Sequence, residues 1–256
     1  MVRIGVLGAG GRMGEQIIAA LASEPRARLV GGVERPGNPA CGQRIGEGLI
    51  ICANATPVAL KADVLIDFTS PDALFENLRA AVDGKAAMLV GTTGLGAAHH
   101  AAIDEAARTI PVLQTANTSL GVTVLAGLVR EAARALGPGW DIEILEMHHR
   151  GKKDAPSGTA QLLGQAAAEG RGGALERLAI PPGDRSGSRP EGGIGFAVVR
   201  GGSVAGRHEV ILAGQGEQLL LGHVAESRAI FARGAVAAAL WLAAQPAGRY
   251  RMDDMF

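Results

Sequence analysis

The sequence predicts an α/β protein with a Rossmann-like parallel-sheet nucleotide domain and a smaller mixed-sheet α/β domain. Three observations carry this expectation. Strand-like and helix-like segments alternate through the first half of the chain, as in a parallel sheet covered by helices on both faces. After about residue 119, strand-like runs begin to follow one another directly, as in a largely antiparallel sheet. Glycine fills 38 of 256 positions, about twice its usual share, and glycine serves where backbone needs positive φ or a close approach.

Taken in order, residues 2–7 form a short apolar strand that runs into glycines. Residues 13–22 carry Met13, Ile17, Ile18 and Leu21 at helical spacing. Residues 28–33, 64–68, 88–90 and 111–113 read as further strands. Thr69-Ser70-Pro71 ends the second of these four, with Ser70 as an N-cap and Pro71 at the first helical position. Residues 122–135 form a long apolar helix, residues 141–147 a half-buried strand of alternating apolar and acidic residues, and residues 159–168 another helix. The Gly-, Pro- and Ser-rich stretch 170–193 reads as a surface loop. Strands are expected near 195–200, 208–212 and 218–221, and a last helix over 230–243 returns to the first domain. The domains therefore run over 1–119 plus 229–256, and over 120–228.

Composition narrows the function classes. Twenty-five basic and 25 acidic side chains cancel, which argues against a nucleic-acid or membrane-surface footprint. A hydrophobic share of 47% supports a real core. The longest apolar run, near 235–244, is about half the roughly 20 residues that cross a bilayer. The short N-terminal run reads as a strand rather than a secretory segment. Cys41 and Cys52 form no Cys-x-x-Cys pair, which points to free thiols in a cytoplasmic protein. His99–His100 and His148–His149 lack ligand spacing, so no metal is expected.

The turn Gly8-Ala9-Gly10-Gly11-Arg12-Met13-Gly14 follows a strand and opens a helix. Its spacing reads as Gly8-x-x-Gly11-x-x-Gly14. Amides at a helix start can face a pyrophosphate where no side chain intervenes. Glu34 lies about 20 residues on, at the end of the second strand, where an acid accepts from a ribose hydroxyl. Arg35 and Arg12 suit a 2′-phosphate, so both NADPH and NADH fit. Gly91-Thr92-Thr93, at the carboxyl end of another strand, lines the same crevice.

A second constellation spans Glu146-Met147-His148-His149-Arg150-Gly151-Lys152-Lys153-Asp154-Ala155-Pro156-Ser157-Gly158-Thr159. The strand before it delivers His148 and His149 to opposite faces, so they do not share a role. Ser157-Gly158-Thr159 places free amides and hydroxyls at a helix N-terminus, a ready carboxylate site. With Lys152 nearby, the cluster fits a small anionic substrate.

These motifs, with Ile66-Asp67-Phe68-Thr69, Gly91-Thr92-Thr93-Gly94, Gly195-Phe196-Ala197-x-Val199-Arg200 and Phe231-Ala232-x-Gly234-Ala235, closely resemble 4-hydroxy-tetrahydrodipicolinate reductases along essentially the whole chain. The block from His148 to Thr159 is the most specific part. The resemblance implies a homotetramer that reduces a cyclic dicarboxylate with NADPH or NADH in the diaminopimelate route to lysine. It implies His148 as catalytic acid/base and Lys152 as proton donor. His149, Lys152, Ser157, Gly158 and Thr159 would hold the substrate carboxylates. The cofactor positions fall on Gly8, Ala9, Gly10, Gly11, Arg12, Met13, Glu34, Arg35, Phe68, Gly91, Thr92, Thr93, Thr115, Ala116, Asn117 and Thr118. Ser70 stands where some members carry Arg, and Thr118 where an aromatic is common, which leaves the cofactor preference open. Another two-domain amino-acid or semialdehyde dehydrogenase, or a non-catalytic dinucleotide sensor, would share the glycine turn. Neither needs the second constellation.

Overall fold

The computed structural model describes every residue except Glu47 and residues 182–186. The chain divides into two compact units, Met1–Ser119 with Ala229–Phe256, and Leu120–Arg228.

The first unit contains β1 (Val2–Leu7), α1 (Arg12–Ala22), β2 (Ala27–Val33), β3 (Arg44–Ile45), β4 (Leu49–Cys52), α2 (Thr56–Ala59) and β5 (Val64–Asp67). It continues with α3 (Pro71–Gly84), β6 (Ala87–Val90), α4 (Ala97–Ala106) and β7 (Pro111–Gln114), and closes with α8 (Ala229–Leu242) and β12 (Gly248–Tyr250). The sheet order is β12-β7-β6-β5-β1-β2-β4-β3, parallel except for the short β3–β4 pair. Every residue of β5 and β6 is buried, which is why these strands read as continuous apolar runs. One face packs Leu74, Leu78 and Ala81 of α3 and Ile103 of α4 against Leu65, Met88 and Val112. The other face takes α1 and α8, which also pack on each other.

In the second unit, α5 (Leu120–Leu136) and α6 (Gly158–Gly170) cover one face of a four-stranded sheet. Its strands are β8 (Asp141–His148), β9 (Ile194–Arg200), β10 (Gly206–Gly214) and β11 (Glu217–Ala225), in the order β11-β10-β8-β9. β10 is antiparallel to both neighbours, whereas β8 and β9 are parallel. The sheet is therefore mixed. Burial alternates strictly along β8, so Ile142, Ile144, Glu146 and His148 share the helix-covered face.

Several elements differ from the sequence reading. β3, β4, α2, α4 and β12 went unread, because they are short or bury few residues: only Ile103 and Ala106 of α4 are buried. Ser70 occupies the N-cap of α3 but makes no side-chain capping bond. The stretch read as a surface loop is partly organised. It contains α7 (Leu175–Leu178), and Arg171 donates to the carbonyls of Trp140 and Gly192. Arg189 pairs with Asp141 at 3.0 Å. Residues 182–186 of that stretch lie outside the described residues.

Candidate active site

The chain order of the large sheet reverses at β1, with β2 on one side and β5 on the other. Ligands of open α/β sheets bind beyond the carboxyl ends of the strands at such a point. Gly8 leaves β1 at φ +80°, and a Cβ there would stand 2.6 Å from the Phe68 carbonyl oxygen. A Cβ on Gly14 would collide with the Gly8 carbonyl, and one on Gly10 with Ala40. Gly14 and Gly10 are thus packing glycines as well as turn glycines. Gly11 is the N-cap of α1 and offers no side-chain cap, so the first-turn amides lack the partner that a capping side chain supplies. Such an uncapped, glycine-lined helix start fits a pyrophosphate.

Glu34 follows β2 and accepts from Gly10 N at 3.1 Å, Arg35 N at 3.2 Å and Asn38 Nδ2 at 2.8 Å. A carboxylate has about four acceptor positions, so one remains for a ribose hydroxyl. Arg12 and Arg35 are exposed, and neither guanidinium has a partner among the described residues. Buried Asp67 ties the loops after β5 and β6. Its Oδ1 accepts from Thr69 N at 3.0 Å, Thr69 Oγ1 at 2.6 Å and Thr92 Oγ1 at 3.3 Å. Its Oδ2 has no partner among the described residues. Burial pushes its carboxyl up to about 6 against those hydrogen bonds. The Phe68 ring fills the space that a Cβ on Gly91 would need, so Gly91 is spent on packing rather than standing open. Past β7, Thr115 Oγ1 donates to Asn117 O at 2.8 Å, and Asn117 Oδ1 accepts from Ser119 N. Thr118 is buried, and its hydroxyl donates to Phe231 O at 2.7 Å. Ala9 is buried, Gly10 and Met13 are half-buried, and Thr93 and Ala116 are exposed.

The polar cluster of the second unit centres on a residue that the sequence reading gave no role. Glu146 is fully buried. Arg200, at the end of β9, grips it with Nη1 to Oε2 and Nη2 to Oε1, both 2.8 Å. His148 Nδ1 lies 2.5 Å from Oε2, and Ser157 N donates to Oε1 at 3.0 Å. Burial alone would raise the Glu146 carboxyl, but Arg200, His148 and the Ser157 amide together hold it below the usual carboxylate range. Arg200 also donates to Asp154 O.

The amide and hydroxyl of Ser157 are therefore not free, contrary to the sequence reading. The amide is used by Glu146. The hydroxyl accepts from Ala160 N, capping α6, and meets His208 Nε2 at 3.0 Å. His208 shares its face of β10 with Val210 and Leu212. Burial first, and neighbouring His148 second, push it down to about 4. It is thus neutral near pH 7. Its ring meets the His148 ring edge-on at 5.1 Å, and its Nδ1 has no partner among the described residues. Lys152 Nζ donates to both Asp154 oxygens at 2.8 Å. His149 is half-buried beyond the strand end, Gly158 is exposed and Thr159 half-buried. A Cβ on Gly158 would meet nothing within 4 Å, so this glycine is not required by packing. Glu146 could have been found from parity alone, because it repeats the even-numbered phase of Ile142 and Ile144, and His208 likewise repeats the phase of Val210 and Leu212. Arg200 carries no such signal, because burial along β9 does not alternate.

The family description "Dihydrodipicolinate reductase, N-terminus" matches residues 2–118, and "Dihydrodipicolinate reductase, C-terminus" matches residues 121–256. The 4-hydroxy-tetrahydrodipicolinate reductase of Zymomonas mobilis is 53% identical, over 99% of this chain and 96% of its own. That of Brucella abortus is 49% identical, over 98% of this chain and 97% of its own. A dipicolinate-bound dihydrodipicolinate reductase from Paenisporosarcina sp. TG-14 has a TM-score of 0.84 at 22% identity, with 100% of both chains covered.

Proposed function

We infer the function from one premise: this chain belongs to the dihydrodipicolinate reductase family. It is an oxidoreductase that reduces 4-hydroxy-tetrahydrodipicolinate, in the diaminopimelate route to lysine. Its reductant is NAD(P)H, and its products are tetrahydrodipicolinate, the oxidised cofactor and water, because the 4-hydroxyl of the substrate leaves with a proton as water. When bound, the cofactor supplies the hydride from its nicotinamide ring. What the chain itself does follows from its residues.

The first unit binds the nucleotide. The uncapped start of α1 and the Gly8–Met13 turn take the pyrophosphate, Glu34 takes a ribose hydroxyl, and Arg12 and Arg35 take a 2′-phosphate when one is present. Both NADPH and NADH are accepted. Phe68, Gly91 to Thr93 and Thr115 to Thr118 shape the rest of the site. The dipicolinate carried by the Paenisporosarcina relative supports a cyclic dicarboxylate as the substrate of the second unit. His149, Lys152, Gly158 and Thr159 hold its carboxylates, with Ser157 adding its hydroxyl proton when His208 Nε2 is the donor. Lys152 exchanges Asp154 for substrate as it does so. His148 acts as the acid that protonates the ring as hydride arrives, with Lys152 a further donor.

The observation that carries this reading is the position of His148. It is buried at the end of β8 and bonded to an internal carboxylate, as a residue that must present one ring nitrogen repeatedly would be. His148→Gln is expected to lower kcat by about 10²-fold or more while nucleotide affinity stays intact. A fully active variant overturns the catalytic assignment.

The second unit also supports a homotetramer. The face of its sheet opposite α5 and α6 carries the apolar register pairs Met147–Val199 and Ile211–Leu220, with Val224 on the same face opposite Arg207. Leu220 and Val224 are 56% and 63% exposed, which suits burial against other copies. Sedimentation of the wild type against Leu220→Asp tests this: a tetramer that the variant dissociates supports it, and a wild-type monomer overturns it. No helix among the described residues is long and apolar enough to cross a membrane.

A further inference from the structure

We propose that Glu146 is a positioning residue that locks the His148 ring with Nδ1 as a permanent donor, so that Nε2 is the atom through which His148 exchanges its proton. This rests on the acid/base role assigned to His148 above.

Glu146 presents four acceptor sites, and four contacts meet them: two from the Arg200 fork, one from the Ser157 amide and one from His148 Nδ1. A guanidinium and an amide can only donate. Facing a charged fork and an amide, the carboxylate is ionised and can only accept. At 2.5 Å, Nδ1 must then carry a hydrogen whether the ring is neutral or charged. The proton that comes and goes is therefore on Nε2.

A separate observation marks Nε2 as the working atom. It has no hydrogen-bond partner among the described residues. The backbone beside it belongs to Gly206, where a Cβ would lie 3.2 Å from Nε2 and 3.5 Å from Cδ2. Gly206 takes no positive φ, so backbone conformation does not demand glycine here. The missing side chain leaves Nε2 uncrowded. The Ser157 amide joins the same carboxylate, so one buried acid fixes both the proton-exchanging ring and the start of the helix proposed to hold carboxylates.

The first test needs no variant. Nitrogen-15 NMR of the imidazole side chains, in the full-length wild type at alkaline pH, should show His148 as the Nδ1–H tautomer, and an Nε2–H tautomer overturns the proposal. In Glu146→Gln the amide can donate to Nδ1, and the His148 signal should move toward Nε2–H. The same variant should lose about 10²-fold or more in kcat, as expected for a wrong tautomer, with KM for the nucleotide changed less than about twofold. Adding Glu146→Gln to His148→Gln should cost little more, because the ring it positions is gone. Gly206→Ala leaves the Glu146 contacts intact and should lower kcat about tenfold by crowding Nε2, and wild-type turnover there overturns the assignment to that atom. An active His148→Gln removes the catalytic reading itself. An inactive His148→Gln beside a Glu146→Gln with wild-type kcat removes only the role of Glu146.

Discussion

The two units prepare their sites by opposite means. At the nucleotide end of the first unit, much of the work is done by missing side chains. Gly8, Gly10 and Gly14 let a turn close, and α1 begins without a cap. In the second unit the work is done by side chains that are present and mutually engaged: buried Glu146, His148, Ser157 and His208, and half-buried Arg200. A site made of backbone tolerates no added atom, whereas a site made of buried charge tolerates no removed partner.

Glycine replacements separate the two cases most sharply. In Gly14→Ala the new Cβ meets the Gly8 carbonyl and comes within 2.7 Å of the Ala9 backbone, neither of which can yield cheaply. A cost of about 3 kcal/mol is expected, lowering Tm by roughly 6–12 °C and abolishing tight nucleotide binding. Gly158→Ala meets nothing, so Tm should move by less than about 2 °C while KM for the dicarboxylate rises. Equal Tm losses in a thermal melt would erase the contrast.

Arg35→Ala sharpens the reading of the first unit. KM for NADPH should rise about tenfold, as for loss of one charge-assisted contact, with NADH affected less than about twofold. Equal loss for both cofactors removes Arg35 from the 2′-phosphate role.

The smallest effect is on pH dependence, where the units differ in sign. Asp67 has its carboxyl raised to about 6 by burial. Its contribution to stability is present below the unfolded value near 3.9 and is lost as pH rises through about 6. His208 is lowered to about 4 by burial and His148. Its contribution is present above the unfolded value near 6.5 and is lost as pH falls through about 4. Between about pH 4 and 6, Asp67→Asn should therefore make the Tm-against-pH slope more positive, and His208→Asn less positive. Slopes shifted in the same direction would show that the two groups do not oppose each other.

How much of this was readable from sequence follows the same division. The strands of the large sheet were legible because buried parallel strands are continuous apolar runs, and the turn Gly8 to Gly14 because glycine spacing is a backbone signature. The sheet edges were not, since β3 has two residues and β12 three. The resemblance pointed to His148 and Ser157, but both bond to Glu146, which Arg200 grips from 54 positions away, and the Ser157 hydroxyl meets His208, 51 positions away. No local pattern encodes which carboxylate a distant arginine will grip. Beside the ligand role expected of them, Gly91 and Thr118 have packing roles that no local pattern announces: Gly91 makes room for Phe68, and the Thr118 hydroxyl holds Phe231.

That last contact bears on how the protein is made. Thr118 and Phe231 are 113 positions apart in sequence and joined by one hydrogen bond, so the chain leaves the first unit and re-enters it at the same place. The second unit is an insertion spliced into a finished topology. On the ribosome, the first 119 residues emerge while the helix that covers α1, β5 and β6 is still unmade. Their apolar surface waits through the synthesis of the whole insertion. Quick folding of that insertion, which brings Ala229 back to its docking groove, thus becomes a condition for the earlier half to mature without aggregating.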